Sequence, residues 1–325
     1  MLPSNKIPFD NVIAALLDGD KPFPPRFLNR LSDLPDDERA ILHATWPKIP
    51  AWRRQALLED LTELTTNDLV LSFEAVGAVA LRDDEAVVRK LAVQMLNEYE
   101  NPEQIPQYLR LIRSDPDSEV RAALATGLGT YVYQGEVEKL AKSRQQEVEA
   151  CLLNLVRGED APLVRRRALE SLGYSSREEV IPLIEQAYQM GKREWLASAL
   201  FAMGRSANEI WSDKVLRMLD HDAATIRAEA ITAAGELGLK EARTSLIQAV
   251  DDDDEGVRTA AVWALSQIGG EQVRALLEDL LDQVEDEDEI EFIEDALENL
   301  TFTEGESMFL FDFDDDDDDD DHSLH

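Results

Sequence analysis

Apolar residues return at a fixed phase along this chain. Val88-Arg89, Val120-Arg121, Val164-Arg165, Ile226-Arg227 and Val257-Arg258 each open a run of the form V-R-x-x-[AL]-x-x-x-[LMA], and Trp195-Leu196 opens another without its arginine. Successive openings lie 32, 44, 31, 31 and 31 residues apart, and Trp52-Arg53 stands 36 residues before the first. With the opening residue as position 0, positions 0, 4 and 8 fall within about 80° of one another at about 100° per residue, so each run buries one helical face. Glycine follows at position 9 (Gly129, Gly173, Gly204, Gly235) or position 12 (Gly238, Gly269), where a residue without Cβ can end a helix in the left-handed conformation.

Between these helices lies a second set, predicted over Arg177–Met190, Lys240–Val250 and Gln272–Val284, with Ser176-x-x-Glu179 reading as a capping box. The 44-residue interval predicts a longer first helix across Gly135–Arg157. No alternating stretch is long enough to compete as a strand. The unit is therefore a helix pair, and the expected fold is an all-α, right-handed solenoid of seven to eight pairs.

The combination of an Asp-containing turn, V-R-x-x-A and a closing glycine resembles HEAT repeats of the short bacterial type named after the phycobilisome lyases. The resemblance covers roughly residues 47–300. It implies a solenoid whose second helices line a concave side. Residues 1–46 are proline-rich and lack the motif, giving three expected segments: an irregular N-terminal cap at 1–46, the solenoid at 47–303 and a disordered acidic tail at 304–325.

Aspartate precedes arginine by five residues at Asp84/Arg89, Asp160/Arg165, Asp222/Arg227 and Asp253/Arg258, with Asp115 and Asp117 flanking that place before Arg121. One reading is a structural ladder of turn carboxylates and arginines between neighbouring repeats; the other is a row of arginines for an anionic ligand. Asp251, Asp253, Glu255 and Gly256 imitate the start of a calcium loop. The twelfth position is Val262 instead of glutamate, so an acidic turn is expected there and no metal.

Positions 2 and 6 lie near 200° and 240°, away from the buried arc, and predict an outward strip. Its members are Lys90/Gln94, Ala122/Thr126, Arg166/Glu170, Ala197/Phe201, Ala228/Thr232 and Thr259/Trp263, joined at the N-terminal end by Arg54. Only one is acidic in a chain of net charge −36. Arg54, Lys90, Gln94, Thr126, Arg166, Phe201, Thr232 and Trp263 are thus the candidate binding residues, with the two aromatics serving either the groove or the packing between repeats.

The acidity is concentrated at one end. Residues 1–274 hold all 32 basic side chains against 45 of the 68 acidic ones, and Asp314 to Asp321 are consecutive aspartates. Such a balance disfavours direct binding to nucleic acid or an anionic membrane. The block is expected to be disordered, and Phe309, Phe311 and Phe313 before it form a candidate docking motif, with simple solubilisation as the other reading. One cysteine, Cys151, and a start without a basic-then-apolar region point to the cytoplasm.

No catalytic constellation emerges and no cofactor is implied. Deoxyhypusine hydroxylase, which is similar in fold, holds iron through His-Glu pairs; here none of His43, His221, His322 and His325 is followed by glutamate. The expected function is a non-enzymatic adaptor that captures another protein, through an extended or basic segment, along the second-helix groove, with the acidic tail tuning access. Alternatives are an acidic decoy for basic proteins and a lyase-like handler of bilins.

Overall fold

The computed structural model describes residues 7–67, 70–270 and 272–311, as backbone alone at 66, 67 and 303–311. It is helical, with no strand among the described residues. The chain divides into two compact units, Met1–Ser175 and Ser176–His325.

In the first unit, α1 (Phe9–Leu17) and α2 (Asp36–Thr45) precede α3 (Ala51–Asn67), so the proline-rich start is largely helical. Three pairs follow: α4 (Glu74–Ala80) with α5 (Ala86–Asn97), α6 (Ile105–Ser114) with α7 (Ser118–Glu136), and α8 (Lys142–Arg157) with α9 (Pro162–Leu172). The second unit has four: α10 (Val180–Gln189) with α11 (Arg193–Arg205), α12 (Ser212–Leu216) with α13 (Ala224–Glu236), α14 (Arg243–Ala249) with α15 (Glu255–Ile268), and α16 (Val273–Leu281) with α17 (Glu287–Phe311). Within each unit the second helices pack on one another in chain order, and each first helix packs on its own partner. Each unit is thus an all-α stack of HEAT-like helix pairs, three in the first and four in the second.

Positions 0, 4 and 8 are buried as their spacing requires, for example Val120, Leu124 and Leu128, or Val257, Ala261 and Leu265. The first repeat runs one residue out of the predicted register. Trp52 is exposed beneath the Arg53 guanidinium, and Leu57 and Leu61 are buried, so the run opens at Arg53. The extra length between Val120 and Val164 is shared by α7, at 19 residues, and α8, at 16 residues the longest first helix as expected, although α8 starts at Lys142 and residues 137–141 separate the two. Helix α10 starts at Val180, so Ser176-x-x-Glu179 lies before it and is not its capping box.

Three of the position-9 glycines do not end helices: Gly129, Gly204 and Gly235 lie inside α7, α11 and α13, while Gly173 caps the end of α9 but with a right-handed φ of −51°. Their role is close approach: a Cβ at Gly129 would stand 2.8 Å from Ser171 Oγ, at Gly204 2.9 Å from Ala233 Cα, and at Gly235 2.9 Å from Ala264 Cα. Ser171, Ala233 and Ala264 all occupy position 7 of the following second helix. A small-on-small seam between positions 9 and 7 therefore sets the helix spacing. Between α5 and α7 the roles reverse, with Asn97 at position 9 over Gly127 at position 7. Of the motif glycines, those at position 12 have a positive φ, Gly238 at 62° and Gly269 at 65°.

This seam explains which face stays open. A second helix meets its own first helix near 0–80°, the following repeat through positions 1 and 9 near 100° and 180°, and the preceding one through position 7 near 340°. Only the arc between about 180° and 340° is left, and positions 2 and 6 fall inside it.

Candidate functional site

The recurring arginines are built into the fold. Arg89 grips Asp115 of the next turn with both Nε and Nη2, at 2.7 and 2.8 Å, while Nη1 donates to the carbonyls of Asp83 and Asp84 in its own turn. Arg121 holds Asp160 at 3.0 and 2.6 Å and donates to the Asp115 carbonyl; Arg227 holds Asp252 at 2.9 and 2.7 Å and donates to those of His221 and Asp222. Each arginine thus bridges two turns. The paired carboxylates are Asp83, Asp115, Asp160 and Asp252. Asp84, Asp222 and Asp253, expected to supply charge, supply main-chain carbonyls instead, Asp253 to Arg258. Arg165 donates to the Val156 carbonyl. The physical reason is the tight turn: the carboxylate six residues before arginine accepts the amide two residues on, as Asp83, Asp115 and Asp252 do at 2.9–3.0 Å, and so projects toward the preceding repeat.

Bidentate arginine bonds hold Asp160 and Asp252 below the usual carboxylate range. At Asp115 burial pushes the carboxyl up, but the Arg89 bonds and the Asp117 amide together outweigh it and the net shift is downward. One rung is rewritten on both sides. Leu196 replaces the arginine of α11, and His221 replaces the aspartate of the next turn, its Nδ1 accepting the Ala223 amide at 3.0 Å just as the carboxylates do.

The strip predicted at positions 2 and 6 divides. Arg54 is not on it: in the corrected register it is the ladder arginine, buried against Asp83 at 2.7 Å and donating to the Ile49 carbonyl. Lys90 is half-buried on α5 and pairs with Glu119 at 3.1 Å; Gln94 and Thr126 are exposed, and the Thr126 hydroxyl donates to the Ala122 carbonyl. Arg166 is partly exposed on α9, while Glu170 is buried and bound by Arg167 at 2.6 Å. The first unit's strip is therefore largely occupied by its own charges.

In the second unit the strip opens into a cleft of about 590 Å³. Ala228 and Thr232 of α13 face Thr259 and Trp263 of α15 across it. Trp263 is half-buried because its ring lies over Gly235: a Cβ there would stand 2.7 Å from Cζ3. Gly256 and Ala260 add small surfaces, and Phe292 of α17 adds a second aromatic ring. Two carboxylates, Glu229 and Glu255, also line it. The repeat motif lapses after Gly269, so nothing in the register could have placed Phe292. Phe201 lies on α11 outside this cleft, half-buried with the Arg205 guanidinium 3.9 Å from its ring centre. Phe309 and Phe311 belong to the backbone-only end of α17, which runs past the expected boundary at 303; Phe313 and the aspartate block lie outside the described residues.

A family model of HEAT repeats matches residues 73–142 and 212–298. The chain carries HEAT repeats. Among solved structures, this HEAT-repeat protein is similar to the complex of CpcE and CpcF of phycocyanin lyase from Nostoc sp. PCC7120, at 16% identity and a TM-score of 0.52, over 87% of this chain and 97% of that one. It also matches YibA of E. coli at 16% identity and a TM-score of 0.44, covering 85% of this chain and 95% of that one. Yeast importin-β, Kap95p, matches at 12% identity and a TM-score of 0.45, covering 90% and 52%. No curated protein sequence matches the HEAT-repeat chain. At these identities the likeness concerns fold.

Among the described residues no group of three or more His, Cys, Asp or Glu is placed to hold a metal ion, and no helix is long and apolar enough to cross a membrane. Burial pushes the Cys151 thiol up against the pull of Arg113, which keeps it protonated at neutral pH and a poor nucleophile.

Proposed function

We propose that this HEAT-repeat protein is a non-enzymatic, cytoplasmic adaptor that captures an extended segment of another protein on its second-helix face. The observation that carries this reading is the α13–α15–α17 cleft, where four strip positions, Trp263 among them, meet the Phe292 ring in the arc that the repeat packing leaves open. Aromatic anchors in a partly desolvated pocket are the usual energetic centre of a protein interface. Arg54, Arg89, Arg121 and Arg227 are excluded as ligand contacts because their donors are already spent on aspartates and carbonyls.

The tail's role follows from the same charges. With Arg54 buried and Lys90 paired, a row of free arginines and lysines for the aspartates to cover is not what the first unit offers. The aspartate block acts on the partner, screening access to the cleft. An acidic decoy is the second reading, favoured by the same block. Affinity capture from the native cell distinguishes them with three baits: the full chain, Thr259→Arg, and a chain with residues 314–321 changed to serine. The adaptor loses its captured proteins in Thr259→Arg and keeps them with the serine tail; a decoy does the reverse, and its capture collapses with salt. Bilin transfer to an apo-carrier, followed by absorbance, tests the lyase-like alternative.

A further inference from the structure

We infer that the α13–α15–α17 cleft is a seat for a cationic side chain, arginine or lysine, carried on the captured segment. The inference rests on the docking reading above and adds the partner's chemistry. Its first support is the lining itself: no lysine, arginine or histidine contributes to the cleft, whereas Glu229 and Glu255 do, and Glu255 is exposed with no ion pair among the described residues. Its second is the pair of aromatic rings, Trp263 and Phe292, since indole and phenyl faces attract a guanidinium or ammonium. Its third is the floor, where Ala228, Gly256 and Ala260 leave room for a long alkyl stem.

The geometry favours arginine. A planar guanidinium can stack on an aromatic ring and donate from its edge to a carboxylate or hydroxyl, and Trp263, Glu255 and Thr232 supply all three groups to the lining. The surroundings reinforce the sign. Asp251 to Asp254 precede α15, and seven acidic residues lie between Glu287 and Glu298 on α17. The Asp252 carboxylate is taken by Arg227 and that of Asp254 caps the Val257 amide, so Glu255 is the acid left to face a ligand. The same field repels the chain's own aspartate block, which excludes this cleft as the tail's docking place. The tail and the cleft instead compete for the same cations.

The test uses four pools of degenerate heptapeptides that differ only in the central residue: arginine, lysine, citrulline or glutamate. Each is titrated into the full-length protein while the indole N–H signal of Trp263, assigned by its loss in Trp263→Phe, is followed by NMR. The arginine pool is expected to shift this signal, to bind about tenfold more tightly than the citrulline pool, and to lose about tenfold in Glu255→Gln. Changing residues 314–321 to serine should leave that binding intact or tighten it. Equal binding of the citrulline pool at Trp263 would overturn the cationic seat and leave the docking reading standing. If no pool moves the indole signal at millimolar concentration, both fall. Binding that disappears with the serine tail would assign the cation to the aspartates and overturn the seat.

Discussion

Replacing Arg89 by methionine tests whether the ladder is a structural element of the solenoid. The side chains of Arg89 and Asp115 are 11% and 2% exposed, so the bidentate pair is nearly dry. Methionine keeps the stem but strands the Asp115 carboxylate and releases the carbonyls of Asp83 and Asp84. Removing one partner of a buried pair costs about 3–5 kcal/mol. At the equivalent rung Arg227 and Asp252 are 21% and 16% exposed, so water recovers part of the loss and Arg227→Met should cost about 1.5–3 kcal/mol, the range for bonds to charged groups. Lys90→Met breaks a pair that is 37% and 56% exposed, worth about 0–1 kcal/mol. Because repeat arrays unfold in parts, the measurement is native-state amide hydrogen exchange of α5 and α7, with urea unfolding as a check. Arg89→Met combined with Asp115→Asn should cost less than the two changes summed, by about 1–3 kcal/mol. A loss under about 1 kcal/mol for Arg89→Met, or a loss at Arg227 as large as at Arg89, would refute the ranking by burial.

Three further outcomes are expected. Gly235→Ala should destabilise α13–α15 by about 1–3 kcal/mol and shift Trp263 fluorescence, because the new methyl meets both Ala264 and the indole; an unchanged melting curve would contradict the seam. Asp115, Asp160 and Asp252 titrate lower folded than unfolded, so their stabilisation is complete above the ordinary carboxylate pKa of 3.8 and is lost as pH falls below it; the stability gap between wild type and Arg89→Met should close over that acid range in urea titrations. Rebuilding the missing rung with Leu196→Arg and His221→Asp should give favourable coupling of about 1–2 kcal/mol in a double-mutant cycle, though Leu196→Arg alone removes a buried apolar side chain and destabilises. Zero coupling would show that the turn no longer aims residue 221 at α11.

The helix pairs were legible because positions 0, 4 and 8 carry an apolar signal that only a 3.6-residue period explains. Registers failed where a side chain gave a misleading cue. Trp52 looks like a core opening but covers Arg53 at the surface, which hid the role of Arg54. The position-9 glycines look like helix stops because sequence shows that Cβ is missing and not what would strike it. Asp115 and Asp160 were named as they stand, whereas at Asp84 and Asp253 the acid partner lay one residue earlier, since adjacent aspartates differ only in which carboxylate the turn frees and which is held back. Half of the cleft was visible as Ala228, Thr232, Thr259 and Trp263. Phe292 and Glu229 were not, for the first lies beyond the last motif and the second at position 3 enters only through the opening between neighbouring helices.

The central claim is that a partner is held in the second-helix cleft of the C-terminal unit. Photo-crosslinking residues placed singly at Thr232 and Thr259 in the cleft, and at Thr244 and Gln248 on the first-layer helix α14, test it most directly in the native cell. The account predicts a discrete adduct from Thr232 and Thr259, competed away by unlabelled full-length protein and absent from Thr244 and Gln248. Equal adducts from α14, or none from the cleft positions while the partner still co-purifies, would contradict it.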